Sequence, residues 1–245
     1  MDINLDKLSI GYGIFKRKEV ITDLSFNMQA GELVILYGPN GVGKTTILRA
    51  ICGQLPTQKG RIFWNGQDLT RDTARRRQLT SGNFESGKML YRYATLKENI
   101  SFNTNLLRSI SLEPINFPYK YFNHEELLDK TIDEMSLGQR QKASLTCALR
   151  KPAELYFFDE PDNGLDRTSI KEFGEIVSGP PYNQSVVVIA THDSFLVQQL
   201  AQKIVFLSTT QPYKVSYKKD LPEDLTELDN YLCAWLGSEA YDKKN

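Results

Sequence analysis

The sequence predicts an α/β fold built on a buried parallel sheet, and three observations carry that prediction. The segment Gly38-Pro39-Asn40-Gly41-Val42-Gly43-Lys44-Thr45 fits the pattern G-x-x-x-x-G-K-[ST] at every fixed position. It follows the apolar run Leu33-Val34-Ile35-Leu36-Tyr37 and precedes Thr46-Ile47-Leu48-Arg49-Ala50-Ile51, giving a strand, a phosphate loop and a helix in sequence. Apolar runs then recur at Leu155-Tyr156-Phe157-Phe158, Val186-Val187-Val188-Ile189-Ala190 and Ile204-Val205-Phe206-Leu207, with helical-looking segments between them. Strands covered by helices on both faces read in this way.

The flanking elements follow the same logic. Ile3 to Ile10 and Val20 to Met28 hold short apolar runs, and Gly60-Arg61-Ile62-Phe63-Trp64 ends at the turn signal Asn65-Gly66. These predict antiparallel strands beside the phosphate loop. Over about residues 92–135 the β-branched runs vanish, and Leu106, Leu107, Ile110, Leu127, Leu128 and Ile132 recur at looser helical spacing. That stretch reads as an inserted helical subdomain. Within it, Glu113 to Phe122 is rich in proline and aromatics, which suits either a loop that docks a partner or one that packs on its own subdomain. Residues 208–245 form a C-terminal extension of mixed polarity with a short helix expected from Glu223 to Leu236. A length of 245 residues with 40% hydrophobic content suits a single domain spanning the chain and carrying these additions.

Thirty Lys and Arg balance thirty Asp and Glu, so the chain lacks the basic balance that draws proteins to nucleic acid, and no nucleic-acid partner is expected. The one dense basic run, Arg75-Arg76-Arg77, reads as a solvated helix face. Cys52, Cys147 and Cys233 are odd in number and lack CxxC spacing, which argues against a disulfide framework or thiolate metal site and fits a reducing cytosol. No stretch approaches the roughly 20 apolar residues that cross a bilayer, and Met1-Asp2-Ile3-Asn4 does not open a signal peptide. Any membrane work would therefore need a partner.

The phosphate loop sets the chemistry. Its glycines let backbone N–H groups turn around a phosphate, Lys44 supplies a mobile positive charge, and the Thr45 hydroxyl is placed to ligate magnesium at a helix N-terminus. A nucleoside triphosphate with Mg2+ is the expected ligand. Leu155-Tyr156-Phe157-Phe158 ends in Asp159 and Glu160, whose side chains leave the strand in opposite directions, so one can serve magnesium and the other the attacking water. Met135-Ser136-Leu137-Gly138-Gln139 opens a further helix. Ser136 and Gln139 fit a capping box, and the small Gly138 beside them leaves donors free to meet a γ-phosphate.

With these motifs in this order, the chain resembles the nucleotide-binding subunit of an ABC transporter from about Leu5 to Leu207. The resemblance implies the ABC ATPase fold: a phosphate-loop core with a parallel sheet, an antiparallel β subdomain and an inserted helical subdomain. It implies ATP hydrolysis, with ATP and Mg2+ bound by Gly38, Pro39, Asn40, Gly41, Val42, Gly43, Lys44, Thr45 and Thr46. Tyr12, in Leu8-Ser9-Ile10-Gly11-Tyr12-Gly13, matches the family's adenine-stacking aromatic, Asn163-Gly164-Leu165-Asp166 matches its D-loop, and His192 in Thr191-His192-Asp193 matches its switch histidine. By the same resemblance, two ATPase subunits, identical or different, associate head to tail. Ser136, Gly138 and Gln139 of one then cover the γ-phosphate held by Lys44 of the other. Glu160 polarises water, His192 holds the γ-phosphate, and Asp159 with Thr45 holds magnesium. Integral membrane permease subunits are the further partners, and the chain is expected on the cytoplasmic face of the membrane.

Three departures qualify the match. No glutamine stands in Gly82-Asn83-Phe84-Glu85-Ser86-Gly87-Lys88, where the family's Q-loop residue is expected, so Glu85 or Ser86 takes its place. Leu137 replaces the first glycine of the signature pair, and Asp162 follows Pro161 where Thr or Ser is commoner. The Ser-Leu-Gly signature with Asn163-Gly164-Leu165-Asp166 is similar to the exporter branch that handles antibiotics, bacteriocins and ABC-2-type cargo. The competing expectation is a soluble ABC ATPase serving an assembly or scaffold complex.

Overall fold

The structure, a computed structural model, describes residues 1–12, 18–84, 90–116, 121–122, 124–210 and 212–236. In chain order the first elements are β1 (Asp2–Tyr12), β2 (Lys18–Gln29), β3 (Leu33–Tyr37), α1 (Lys44–Ile51), β4 (Lys59–Trp64), β5 (Gln67–Asp68), α2 (Thr73–Leu79) and β6 (Thr80–Asn83). They are followed by α3 (Leu96–Ser109), α4 (Leu137–Leu149), β7 (Leu155–Asp159), α5 (Arg167–Ser178), β8 (Val186–Thr191), α6 (Ser194–Leu200), β9 (Lys203–Phe206), β10 (Lys214–Tyr217) and α7 (Leu225–Leu236).

The strands form two sheets. One is antiparallel in the order β2-β1-β4-β5. The other runs β10-β9-β3-β8-β7-β6, parallel except for β10 at its edge. The apolar strands at its centre owe their order to two-sided burial. Val34 and Leu36 of β3 enter one core, while Leu33, Ile35 and Tyr37 enter the other. The period-two alternation of a strand thus supplies both layers at once. The first core lies between the parallel sheet, α1 and the antiparallel sheet. The second is closed by α4, α5, α6 and α7, with Phe206 of β9 packing against Tyr231 and Trp235 of α7 at centroid distances of 6.3 and 5.0 Å.

In the stretch read as helical, α3 is the α-helix among the described residues, and His124–Glu126 and Ile132–Glu134 are single 3-10 turns. Thr131 and Glu134 form a capping box that fixes the second turn without extending it. Leu107, Leu127 and Ile132 are buried, whereas Leu106 and Ile110 are exposed. Leu96, Ile100, Leu127, Ile132, Met135, Ala143 and Cys147 make a small core of their own between α3 and α4. Of the loop Glu113 to Phe122, the aromatic Phe122 is buried in the second core with Ile115 and Tyr121 against it, and residues 117–120 lie outside the described residues.

The arginine run is solvated at Arg75 and Arg77, which are exposed, but not at Arg76. Arg76 is fully buried, and its guanidinium donates to the carbonyls of Ala50, Ile51 and Thr70. Arg77 reaches the Gly53 carbonyl at 2.7 Å. The physical reason is the C-terminal end of α1, whose last carbonyls have no intrahelical partner and carry the negative end of the helix dipole. Cys52, which caps that end, and Cys147 are buried free thiols, raised by burial to about 11 and about 12. Among the described residues, no helix is long and apolar enough to cross a membrane.

Candidate active site

The site stands where β3, β7 and β8 end. Register places Tyr37 opposite Thr191 and Asp159 opposite Ala190, so the residues that follow these strands emerge side by side. Ligands of open α/β sheets gather at such carboxyl ends. After β3 the chain makes the phosphate loop and enters α1 at Gly43, whose φ of 113° lies in the left-handed region. A side chain there would be strained and would also meet Ile21 at 2.9 Å.

Lys44 opens α1 yet is buried, 5% exposed, with Nζ donating to the carbonyls of Gly38 at 2.8 Å and Pro39 at 3.3 Å. Its ammonium also pairs with Glu160 Oε1 at 2.9 Å. Thr45 donates its hydroxyl to Asp159 Oδ2 at 2.6 Å. Asp159 is buried, and desolvation raises its carboxyl, against the Thr45 hydrogen bond that lowers it. Its Oδ1 is buried without a hydrogen-bond partner. An unsatisfied carboxylate oxygen beside a hydroxyl is a hard-oxygen donor set, and its chemistry fits a magnesium ion.

Glu160 begins the turn after β7 at a φ of 48°, its N–H donating to the Ala190 carbonyl at 2.8 Å. Its Oε2 lies 2.6 Å from His192 Nδ1. Burial works to raise the Glu160 carboxyl, but the His192 hydrogen bond and the Lys44 charge outweigh it and hold the carboxyl below its ordinary range. The Glu160 hydrogen bond in turn raises His192 above the ordinary histidine value, against a smaller opposing effect of burial. The two acids predicted to divide the work thus divide their partners: Asp159 faces Thr45, and Glu160 faces Lys44 and His192.

Other predicted residues stand nearby. Tyr12 is half exposed at the end of β1, its hydroxyl 3.1 Å from Thr46 Oγ1 in the helix that follows the loop. Ser136 and Gln139 make the predicted capping box at the start of α4, through Gln139 N–H to Ser136 Oγ at 3.3 Å and Ser136 N–H to Gln139 Oε1 at 3.0 Å. Gly138 has a second reason to be glycine, since a Cβ there would sit 2.2 Å from the Gly164 carbonyl oxygen. Asp166 caps α5 by accepting from the Ser169 N–H at 2.7 Å. Among the described residues, no hydrogen bond joins Ser136, Gly138, Gln139 or Asp166 to Lys44, Glu160 or His192. Glu85 and Ser86 lie outside the described residues.

Sequence reasoning passed over Gln141. It is fully buried in α4, and its Nε2 donates to the backbone carbonyls of Glu160 at 3.4 Å and Pro161 at 2.9 Å. The available signal was a polar residue two positions after Gln139, on the helix face it shares with Leu145 and Leu149 at i+4 and i+8.

Comparison with known proteins shows the family and the fold. The family model described as ABC transporter matches residues 21–163, more than half of the chain. The Chlorella vulgaris protein named "Probable sulfate/thiosulfate import ATP-binding protein CysA" is 29% identical over 238 residues, covering 95% of this chain and 99% of its own. The Bacillus subtilis "ABC transporter ATP-binding protein NatA" is 29% identical over 223 residues, 87% of this chain and 91% of its own. A solved structure titled "Structure of ATP binding subunit of ABC transporter" superposes with a TM-score of 0.78 at 25% identity, over 95% of this chain and 99% of its own. A dimeric ATP-binding cassette in a post-hydrolysis state, bound to ADP and Pi, shares the fold with a TM-score of 0.71 at 16% identity, over 88% of this chain and 98% of its own. The chain has the ABC ATPase fold and belongs to the ABC transporter family.

Proposed function

We propose that this chain binds and hydrolyses ATP with Mg2+ to drive a substrate through separate integral membrane subunits, working at the cytoplasmic face of the membrane. The observation that carries the reading is the convergence of Lys44, Glu160 and His192 beside the Thr45–Asp159 pair at one sheet edge. ATP phosphates compete for Lys44 with the Gly38 and Pro39 carbonyls and with Glu160. Glu160, ionised at neutral pH, then orients the attacking water and accepts its proton, while His192 holds the γ-phosphate. Thr45 and Asp159 would hold the magnesium ion, which would supply positive charge against the phosphates. Tyr12 lies beside Thr46 where it can stack on the adenine of a nucleotide held by α1.

The signature completes the site from a second copy. Ser136, Gly138 and Gln139 sit at the capped N-terminus of α4 with no hydrogen bond to their own chain's Lys44 among the described residues, which leaves them available to a head-to-tail partner. Asp166 belongs to the same interface through its loop. Residues 92–135 serve as the subdomain that meets the membrane subunits, and residues 208–245 as a C-terminal extension, whose helix α7 covers the second core with Leu228 and Leu232. Export is the direction we favour, on the Ser136-Leu137-Gly138 signature and the Asn163-to-Asp166 loop. The import protein named in Chlorella vulgaris points the other way, so direction rests on those motifs.

The test is Glu160→Gln in the full chain. Loss of the general base lowers ATP turnover by about 10²–10⁴-fold, while ATP binding persists and an ATP-dependent dimer accumulates on gel filtration. Parent-like turnover in the variant would remove Glu160 from its role. A chain that stays monomeric at saturating ATP would remove the composite site.

A further inference from the structure

We infer that Asp162 is a positioning residue for hydrolysis: through the Thr191 hydroxyl its carboxylate pins the backbone on both sides of His192. The inference rests on the reading of Glu160 and His192 given above. Asp162 is the position where the family pattern more often has Thr or Ser, and the motif alone assigns it nothing.

The geometry is a three-part clamp. Thr191, the last residue of β8, is fully buried, and its Oγ1 donates to Asp162 Oδ1 at 2.9 Å. The same oxygen accepts the Asp193 N–H at 2.9 Å. Asp193 then caps α6 by accepting from the Leu196 N–H at 2.8 Å. His192 lies between these two anchored residues with its ring 34% exposed and Nδ1 on Glu160. A hydroxyl has one proton, so donating it to Asp162 commits the Thr191 oxygen to receiving the Asp193 amide. Removing the carboxylate frees the hydroxyl to rotate, and the backbone bond after His192 loses its fixed acceptor.

The choice of a carboxylate is costly, which argues for a task beyond packing. Burial first, and then the charge of Glu160, push Asp162 up to about 6, so the ionised group opposes folding at neutral pH. In return the ionised carboxylate is an acceptor only, so it fixes the Thr191 hydroxyl as the donor, which a hydroxyl able to donate or accept would not. The benefit comes when ATP engages Lys44 and a water engages Glu160. His192 then loses the partner that holds its ring, and the clamp fixes its place against the γ-phosphate. A displacement of about 1 Å in such a group can cost about 100-fold in rate.

The experiment compares parent, D162A, D162N, T191V, T191S and D162A/T191V as full chains. Steady-state hydrolysis and fluorescent-nucleotide binding are measured together, with a melting curve for each. D162A and T191V are expected to lose about 10–100-fold in kcat, with ATP Kd changed by less than about threefold. The double variant loses no more than the worse single, because both remove one clamp. D162N and T191S, which keep an acceptor and a hydroxyl, recover most of the loss. A parent-like kcat in D162A or T191V, losses that multiply in the double variant, or no recovery in D162N and T191S overturns the clamp. Should D162A fail to fold, T191V against T191S decides alone. A parent whose hydrolysis does not depend on Glu160 overturns the reading of the site itself, a different result from a hydrolysing parent with an indifferent Asp162.

Discussion

Arg76 joins the phosphate-loop helix to the rest of the fold, and replacing it by Ala tests that claim in numbers. Its guanidinium serves three carbonyls, of Ala50 and Ile51 at the end of α1 and of Thr70 before α2. The Ala50 carbonyl keeps the Gly53 N–H at 3.2 Å, but the Ile51 and Thr70 carbonyls would be left without a donor, at about 1–3 kcal/mol each. The emptied stem adds a cavity cost, because Arg76 is among the largest fully buried side chains. Against these stands the recovered solvation of a buried cation, whose guanidinium is already lowered by desolvation and is worth several kcal/mol when released. The net expectation is a loss of about 2–4 kcal/mol, which for a chain of this size lowers Tm by roughly 10 °C. Arg76→Lys should fall between parent and Ala, since a single ammonium lacks the planar fork that spans α1 and Thr70. Urea and thermal unfolding followed by circular dichroism give both values. An Ala variant within about 1 kcal/mol of the parent would refute the argument, because water would then be satisfying the same carbonyls as well as the guanidinium does.

Further expectations follow from the site. Lys44→Ala deletes the main side-chain charge on the phosphates and should weaken ATP binding by about 10–100-fold, the worth of one or two charge-assisted hydrogen bonds; equal affinity in a nucleotide titration would contradict it. Tyr12→Ala should cost about 1–3 kcal/mol of ATP binding through lost stacking, and undiminished affinity would make Tyr12 a support for Thr46 alone. The Glu160–His192 pair has a defined pH signature. His192 is raised on folding by its bond to Glu160, so its contribution is complete below its ordinary value of 6.5 and is lost as pH rises through the folded value. Glu160 is lowered, so its contribution is complete above its ordinary value of 4.5 and is lost as pH falls through the folded value. The stability gap between parent and His192→Ala should therefore be widest between about pH 4.5 and 6.5 and narrow toward pH 9. A gap that stays constant in urea titrations from pH 5.5 to 9 would show that the pair is not coupled.

What the sequence disclosed was whatever is local. The loop from Gly38 to Thr45, the Asp159-Glu160 strand end and the Ser136-Gln139 box each occupy a few consecutive residues, and each pattern is its own mechanism. The central strands announced themselves because burial on both faces demands unbroken apolar runs. β6 did not, since Thr80-Ser81-Gly82-Asn83 lacks an apolar residue: Ser81 is buried by bonding to the Ala148 carbonyl at 2.6 Å and Asn83 by bonding to Ser144 at 3.1 Å. Both partners sit on α4, far along the chain. Arg76 misled for the same reason, because charge along a helix reads as solvation, as it does correctly for Arg75 and Arg77, until the carbonyl end of α1 is placed beneath it.

The backbone of Glu160 shows where local reading must stop. A glutamate at a φ of 48° occupies a region unfavourable for a residue with a Cβ, and Pro161 restricts it further. Such a conformation persists only when its surroundings over-determine it, typically at an estimated cost of about 1–3 kcal/mol. Here the determinants come from three directions: the Ala190 carbonyl on β8 takes its N–H, Gln141 on α4 holds its carbonyl, and Lys44 at the start of α1 takes its carboxylate. None of them lies within nineteen residues of Glu160 in the chain except Gln141, at that separation. The Asp-Glu-Pro motif specifies that an acid leaves the strand, but the direction of that acid is a property of the assembled sheet and of the helix carrying the signature. On the function proposed above, a shift of α4 would reach Glu160 through Gln141 without passing through the nucleotide, so engagement of Ser136 and Gly138 would have a direct physical route to the acid proposed to activate water.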